Sequence, residues 1–359
     1  MIKKVSFHDL DENLKDILLE SALGKEGKII SKTCGMCGRI YIFDRGASTF
    51  PRYSCVKIPI KSDKFSEKDI NSRFVNEIKN QLKYYHHQYV HWVCDFNEVM
   101  GVPVAKFRYW GSDLRKLIDG PVTSAINRLS IMAYLCAGLR YCYSRGLLSH
   151  QDLKPENIFL RNMHDDFRDL PIQDVYIFPL VGDFGLANAF IDSDVFSGAR
   201  PYMAPEQWLN NELSPKTDIF ALGIILFELM SNGYHPVGIK LSEHWPMPSE
   251  NSSTKWKGEK SWRKWSTRSG LINQALEVNI SDDILALIKR MLSLSPEMRP
   301  EIDEVIEVVL NTIKNMDSES YRLVSYYINY YDSQTSKDTL EERWPSLFNR
   351  WLRFQEKFG

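Results

Sequence analysis

The sequence has 359 residues, 43% hydrophobic and 25% charged, a composition typical of a globular protein long enough for two lobes or two domains. Lys and Arg number 45 against 46 Asp and Glu, and the formal charge of −1 excludes a general electrostatic attraction to nucleic acid or to an anionic membrane. Six widely spaced cysteines do not make the framework of a disulfide-rich secreted domain, so we expect a reducing, cytoplasmic location.

The first part of the chain predicts a short helix followed by a sheet. Apolar residues recur at helical spacing between residues 6 and 22, which predicts a helical extension over residues 1–27. From residue 28 to 108 the pattern changes to short β-rich runs, interrupted by one helical stretch from Asp69 to Tyr85. The predicted strands are Lys28 to Ser31, Arg39 to Phe43, Tyr53 to Ile58, Val90 to Phe96 and Val102 to Phe107.

Helical patterns dominate the next part of the chain, from residue 109 to 315. The predicted helices cover residues 112–119, 124–145, 216–231, 281–293 and 301–315. The longest apolar run, Ile219 to Met230, contains Glu228 and is too short to span a bilayer, which indicates a buried helix. We therefore predict a two-lobed α+β fold, with a small antiparallel β lobe carrying one helix at residues 28–108 and a larger, mainly α-helical lobe at residues 109–315.

Two further segments are candidates for contacts with a partner protein. The tail, residues 316–359, is predicted to be helical from about Leu340, because Trp344, Leu347, Trp351 and Phe354 recur every three to four residues, and we expect it to dock on the domain. Residues 251–267 are basic and contain tryptophans without apolar periodicity, which predicts a solvated loop with one or two tryptophans docked on the larger lobe. For this loop we favour a protein partner over nucleic acid.

Five motifs of the larger lobe follow one another in a diagnostic order. His150 to Asn157 reads HQDLKPEN and Gly182 to Ala187 reads GDFGLA, with a hairpin-like stretch between them. MAPE at 203–206, DIFALG at 218–223 and RP at 299–300 come next. This set resembles the catalytic domain of eukaryotic-type serine/threonine protein kinases, with tight matches in the larger lobe and looser ones in the smaller. The resemblance implies a protein-kinase-like fold over residues 28–315.

The resemblance implies a chemical role for four polar residues of the larger lobe. Phosphoryl transfer from ATP depends on positioning and on neutralising charge. Asp152 is expected to orient the acceptor hydroxyl and take its proton, and Lys154 to neutralise the γ-phosphate as charge develops. Asn157 and Asp183 are expected to hold Mg²⁺, or Mn²⁺, because hard cations prefer oxygen ligands.

The expected phosphate loop of the smaller lobe is a weaker match. Thr33 to Ile40 reads TCGMCGRI, with Gly35 and Gly38 at the second and third glycine positions of the family motif. The resemblance implies that Gly35, Gly38 and Ile40 bind the nucleotide. The two cysteines of this loop leave other interpretations open: half of a zinc knuckle, for which the sequence offers no second CxxC or CxxH pair, or redox control of the loop.

A lysine and a glutamate complete the expected phosphate-binding group. Lys57 lies on the third predicted strand, where the family places its phosphate-binding lysine. Glu77, on the helical stretch, is its expected ion-pair partner, and Glu67 is the alternative.

The expected adenine and ribose contacts lie just after the fifth predicted strand. The sequence WGSDL at 110–114 resembles the segment that follows the family's hinge. Backbone groups at Phe107 to Tyr109 are then expected to meet adenine, and Asp113 to contact ribose, with the register open by one residue.

Three motif residues are expected to stabilise the larger lobe. By resemblance, Glu206 and Arg299 form an ion pair, and Asp218 anchors the backbone of the catalytic loop. Loss of any of them is expected to cost stability before chemistry.

The sequence also departs from the family pattern. Gln151 precedes the expected catalytic aspartate, where many members have an arginine that pairs with a phosphorylated activation loop. Between Asp183 and Glu206 the only hydroxyl residues of the Ser/Thr type are Ser193 and Ser197, so we expect activity without phosphorylation of this segment. Ala199 replaces a threonine typical of Ser/Thr-directed members, although Lys154 still favours Ser/Thr over Tyr.

We therefore expect an ATP- and Mg²⁺-dependent kinase that phosphorylates Ser and Thr residues of proteins, including its own. Two alternatives belong to other classes. One is a pseudokinase that binds nucleotide or acts as a scaffold, and retention of Lys57, Asp152, Asn157 and Asp183 disfavours it. The other is a kinase-fold transferase that acts on a small molecule or moves AMP, which the intact LKPEN and MAPE sequences disfavour.

Overall fold

A computed structural model describes most of the chain, namely residues 5–34, 38–85, 87–167, 169–186, 199–209, 212–244, 256, 258–276, 278–334 and 339–359. The strands are β1 (Lys28–Cys34), β2 (Arg39–Asp44), β3 (Tyr53–Ile58), β4 (Val93–Val99), β5 (Val102–Arg108), β6 (Ser112–Asp113), β7 (Ile158–Asn162) and β8 (Ile177–Val181). The helices are α1 (Glu12–Ala22), α2 (Glu67–Leu82), α3 (Leu114–Asp119), α4 (Ala125–Ser144), α5 (Met163–Asp166), α6 (Pro205–Leu209), α7 (Pro215–Met230), α8 (Glu259–Ser266), α9 (Asp282–Met291), α10 (Ile302–Met316), α11 (Ser318–Gln334), α12 (Leu340–Arg343) and α13 (Pro345–Phe358). Within these ranges, none of the helices has the length and hydrophobicity needed to cross a bilayer.

The chain forms two compact units. The first consists of Met1–Tyr85, Trp92–Gly111 and Ser336–Gly359, and the second of His86–His91 and Ser112–Thr335. The first unit contains the large antiparallel sheet and the second contains most of the helices. The predicted α+β class, a small β lobe followed by a mainly helical one, is confirmed.

The sheet of the first unit has the strand order β1-β2-β3-β5-β4, and all neighbours are antiparallel. Successive side chains of a strand point to opposite faces. On β3, Val56 therefore belongs to one buried cluster and Cys55 to the other. The register of β3 and β5 pairs Lys57 with Ala105 and Val56 with Lys106, so the two lysines lie on opposite faces of the sheet.

Helices from the two ends of the described chain cover these faces. On one face Phe7 and Leu19 pack against the buried side chains of β2, β3 and β5. On the other face α2 and α13 pack together against β4. The ring of Phe96 on β4 lies 5.3 Å from that of Trp351 and 5.1 Å from that of Phe354. The helical tail was expected to dock, and its last helix does so on the first unit.

The second unit is built around α4, which is buried on nearly all sides. Helices α7, α10 and α11 contact it, and β6, β7 and β8 form a small antiparallel sheet beside it. Tyr89, Tyr134 and Phe178 form an aromatic cluster under α11. Helix α11 was not predicted, because its tyrosine-rich sequence buries only Ser320, Val324 and Ile328 and so shows little apolar periodicity.

The predicted boundaries of β4 were wrong. The strand runs from Val93 to Val99, whereas Val90 to Phe96 was expected. Val90 instead forms an isolated bridge with Val181 in the second unit, and its neighbour His91 donates from its backbone N–H to the same residue. Val90 is thus buried by a contact with a different strand, and the spacing of apolar residues along the sequence cannot reveal which strand a residue contacts.

The prediction of a solvated loop at 251–267 was also wrong for its described part. Residues 259–266 form α8, and Trp256, Trp262 and Trp265 are all buried. The indole N–H of Trp262 donates to the carbonyl of Trp256 at 2.8 Å. A helix of two turns shows its apolar face only twice, which is too short a pattern to separate from a loop.

His235 anchors α8 to the preceding chain and predicts a pH dependence of stability. Its ring lies 4.7 Å from that of Trp265 and donates through Nε2 to the carbonyl of Pro201 at 3.0 Å, while Nδ1 accepts from the N–H of Val237. Burial lowers the pKa of His235 to about 3. Between pH 6.5 and that value the unfolded chain binds more protons, so stability falls as pH falls.

We expect His235→Gln to weaken this pH dependence. Glutamine retains a donor and an acceptor but does not titrate. The wild type should lose about 2 kcal/mol more of its free energy of unfolding than the variant between pH 7.5 and pH 5, measured by urea unfolding. Parallel stability curves for the two proteins would contradict the assignment of this titration to His235.

Candidate active site

The carboxylate of Asp152 is the centre of a hydrogen-bonded group in the second unit. Its Oδ2 accepts from Lys154 Nζ at 2.8 Å and from Asn157 Nδ2 at 2.9 Å, and its Oδ1 accepts from the backbone N–H of Ala199 at 2.8 Å. Only 5% of Asp152 is exposed. Three donors therefore hold this carboxylate in one orientation, as a proton acceptor requires.

The loop that carries Asp152 is held in place by hydrogen bonds to Asp218 on α7. The Asp218 carboxylate accepts from the backbone N–H of His150 at 2.8 Å and of Gln151 at 3.2 Å, and from the hydroxyl of Ser149 at 3.0 Å. Gln151 adopts a left-handed backbone conformation with φ of 68°. The expected hydrogen bonds from the loop backbone to Asp218 are present. They stabilise the turn at His150 and Gln151 that precedes Asp152.

Asn157 and Asp183, the expected metal ligands, lie on two segments that are linked to one another. Both bonds donated by Asn157 Nδ2 go to Asp152, so the amide oxygen Oδ1 is the atom left to bind a cation. His150 bridges to the second segment through its Nε2, which lies 3.0 Å from the carbonyl oxygen of Gly182. An amide oxygen and a carboxylate are a donor set that fits Mg²⁺ or Mn²⁺.

The charge of Lys154 is stabilised by its acidic neighbours. Burial opposes that charge, but Asp152, Asp183 and Glu156 together raise the pKa of Lys154 above its usual value. The ammonium group therefore stays protonated at neutral pH and can neutralise a phosphate oxygen.

In the first unit, the expected partners Lys57 and Glu77 form an ion pair between β3 and α2. Their side chains are 11% and 5% exposed, so the pair lies largely out of solvent. Helix α2 begins at a capping box formed by Ser66 and Asp69, which fixes the start of the helix that presents Glu77. Glu67, the alternative partner, lies in the first turn of α2 and accepts from Ser6.

Gly38 lies against the side chain of Lys57. A Cβ atom at this position would come 2.8 Å from Lys57 Cε and 2.9 Å from the carbonyl oxygen of Ile58. The third glycine of the expected phosphate loop is therefore needed for space beside the lysine. Gly35, the other glycine of that loop, lies outside the described residues, as do Cys37, Ser193 and Ser197.

The remaining expected nucleotide contacts are distributed along the strands and the following turn. Ile40 on β2 pairs with Lys57 and packs against the buried cluster under α2. Phe107 is buried in that cluster, so only its backbone is available to a base, and Tyr109 packs against the cluster edge. Asp113 belongs to the second unit and caps α3 by accepting from Lys116 N at 3.0 Å. Nucleotide roles for these residues remain predictions.

A group of contacts that sequence patterns did not reveal holds the segment after Ala199. Tyr202 donates its hydroxyl hydrogen to Glu228 at 2.8 Å, and Arg115 on α3 contacts both residues. The Arg115 guanidinium also lies 3.5 Å from Glu156, four residues after Asp152. Each of these residues is unremarkable in the sequence, and a backbone donor such as the Ala199 N–H carries no sequence signal at all.

These features define a class of protein: an antiparallel sheet unit with a buried lysine–glutamate pair, and a helical unit with an ordered aspartate, lysine and asparagine. The chain matches the protein kinase domain over residues 47–310, more than half of its length. The chain belongs to the protein kinase family.

Individual relatives share parts of this chain. It is 27% identical over 214 residues to the ovarian-specific serine/threonine-protein kinase Lok of Drosophila melanogaster, which covers 57% of this chain and 38% of Lok. It is 31% identical over 186 residues to the interferon-induced, double-stranded RNA-activated protein kinase of Mus musculus, covering 50% of this chain and 28% of that kinase. The similarity thus spans well under half of the length of either relative.

Removing the Lys57 ammonium should impair nucleotide use. We expect Lys57→Met to lower kcat/KM for ATP by about 10²- to 10³-fold, the usual cost of losing one preorganised donor to a charged reacting group. Steady-state kinetics with varied ATP checks this.

Lys106→Met is the matched control. Lys106 lies on the neighbouring strand and pairs with Glu26 on the opposite face of the sheet. This variant should lose stability but keep its kcat/KM for ATP. If both substitutions lowered kcat/KM for ATP equally, Lys57 would have no specific role in the use of ATP.

Proposed function

We propose that this protein is an active kinase that transfers the γ-phosphoryl group of ATP to serine and threonine hydroxyls of proteins, including its own. The observation that carries the proposal is the carboxylate of Asp152, held by Lys154, Asn157 and the Ala199 N–H at 2.8 to 2.9 Å. A module that only binds nucleotide has no need to orient a buried base in this way.

In the proposed reaction each residue has one task. Asp152 accepts the proton of the attacking hydroxyl, and Lys154 neutralises charge on the transferred phosphoryl group. Lys57, fixed by Glu77, binds the phosphates of ATP. Asn157 and Asp183 would hold Mg²⁺ or Mn²⁺, which when bound shields the phosphate oxygens.

The test uses ATP labelled at the γ-phosphate, with a metal salt and a generic Ser/Thr protein substrate. Phosphoserine or phosphothreonine in the substrate and release of ADP support the proposal, as does label on the protein itself. Release of pyrophosphate would indicate AMP transfer, and label confined to a small molecule would indicate another transferase. ATP binding without any transfer would indicate a pseudokinase.

The proposed location, regulation and partner sites each rest on a separate observation. Cys55, Cys94, Cys136 and Cys142 are free thiols, which supports a reducing, cytoplasmic location. Gln151 does not provide a cation for a phosphorylated loop, which supports activity without such a modification. The segment 251–267 and the tail remain proposed sites for a partner protein, although the described tryptophans of the former are buried.

A further inference from the structure

Helix α8 has two opposite faces with different properties. Trp262, Trp265 and Ser266 are buried and lie on one side of the helix. Lys260, Arg263 and Lys264 are exposed and lie on the other side, because residues three and four apart share a helix face. Arg268, just beyond the helix, is exposed as well. We call these four cations the basic face.

Within the described residues, acidic side chains do not fully balance the charge of the basic face. Among the residues that the structure describes, no carboxylate lies within ion-pair distance of any of the four cations. Lys260 and Lys264 are four residues apart, a spacing at which like charges repel and weaken a helix. Glu259 is the one carboxylate of α8, so the helix carries three cations against one anion. This excess of positive charge can be offset by an acidic group of another molecule.

The buried face ties α8 to the segment that follows Ala199, the residue whose N–H binds Asp152. Helix α8 contacts the 3-10 turn Arg200–Tyr202 and α6. The ring of His235 makes edge-to-face contacts with Trp262 at 5.3 Å and with Trp265 at 4.7 Å, and its Nε2 donates to the carbonyl of Pro201. Tyr202 lies three positions after Ala199, whose N–H binds Asp152, a span of at most about 10 Å.

The carboxylates that contact the same segment are already neutralised. Glu228 accepts from Tyr202 and from Arg115, and Glu156 lies 3.5 Å from the Arg115 guanidinium. In the part of the chain that the structure describes, the cations of the basic face thus form no ion pair, whereas Glu228 and Glu156 beside Tyr202 are paired with Arg115. This charge distribution favours an acidic polypeptide over a basic one.

We propose that the basic face of α8 is a docking surface for an acidic stretch of the protein substrate, within about ten residues of the phosphorylated hydroxyl. The proposal rests on the proposed kinase function, since it names the chemistry of that kinase's substrate. Acidic side chains of the substrate pair with Lys260, Arg263, Lys264 and Arg268 and raise its local concentration at Asp152.

Two serine peptides test this, one flanked by four glutamates and one by four lysines, labelled for fluorescence anisotropy and measured without ATP. The wild type should bind the acidic peptide at least about tenfold more tightly, and higher salt should weaken the binding. The double variant Lys260→Glu with Lys264→Glu should lose about tenfold in affinity for it. In kinetics its KM for that peptide should rise while the KM for ATP stays constant.

The matched control is Lys289→Glu with Lys314→Glu, which makes the same charge change at exposed positions of α9 and α10. It should bind the acidic peptide as the wild type does. Undiminished binding by the α8 variant, with its melting temperature retained, would overturn the proposal. So would tighter binding of a single-stranded oligonucleotide to this face, which would assign it to nucleic acid. Because binding is measured without ATP, a lack of phosphoryl transfer would contradict only the proposed kinase activity.

Discussion

Asp152→Asn should reduce phosphoryl transfer by about 10²- to 10⁴-fold in kcat, the usual contribution of a positioned proton acceptor. The amide cannot take the proton of the acceptor hydroxyl. It also turns one acceptor atom into a donor beside Lys154 and Asn157, which both donate to Asp152 in the wild type. Single-turnover kinetics with labelled ATP measure the loss without interference from product release.

The loss should be confined to chemistry. The dissociation constant for Mg²⁺-ATP should stay within about threefold of the wild type, since the phosphate-binding residues are unchanged. Asp174→Asn is the matched control, because it makes the same change at an exposed position of the second unit. An Asp152→Asn protein that keeps more than a tenth of the wild-type kcat would mean that Asp152 is not the proton acceptor.

Arg299→Ala should unfold the second unit much more easily, at a cost of about 3–5 kcal/mol in its free energy of unfolding. The guanidinium is fully buried and donates to the two oxygens of Glu206 at 2.6 and 2.9 Å. It also donates to the carbonyls of Ser293 and Lys216, each at 2.8 Å. Its removal leaves a buried carboxylate and two carbonyls without their cation. Urea unfolding followed by tryptophan fluorescence checks the value.

An exposed arginine of the same unit provides the comparison. Arg290 pairs with Glu304, and both side chains are well exposed, at 50% and 39%. Arg290→Ala should therefore cost less than about 1 kcal/mol. If Arg299→Ala also cost less than 1 kcal/mol, the pair with Glu206 would not stabilise the fold, and the assigned structural role would be wrong.

Short motifs predicted several contacts well because they combine several residues at fixed spacing. The expected contacts of Asp218, and the pairs of Lys57 with Glu77 and Arg299 with Glu206, are all present in the structure. In the two ion pairs, either charged group would be costly to bury alone, so finding both in one family pattern implied that they meet.

Other parts of the fold had no comparable signal. The start of β4 was predicted too early because Val90 is apolar. Val90 is not part of that strand but pairs with Val181, which is far away in the sequence. The segment from Ala199 to Tyr202 is held by the N–H of Ala199 and by Arg115. Neither a backbone donor nor a single arginine produces a recognisable sequence pattern. Long-range partners of individual residues are set by tertiary packing, which periodicity does not encode.

The covering of the first unit's sheet by α1 and α13 has a consequence for biosynthesis. A ribosome adds roughly 5–20 residues each second, so the sheet strands emerge many seconds before Trp351 and Phe354. During that interval the face that α13 will cover stays open to other chains, while the second unit can already fold around α4. Of the two units, the one whose strands are made first is thus completed last, and nascent chains should depend on chaperones until α13 has been synthesised.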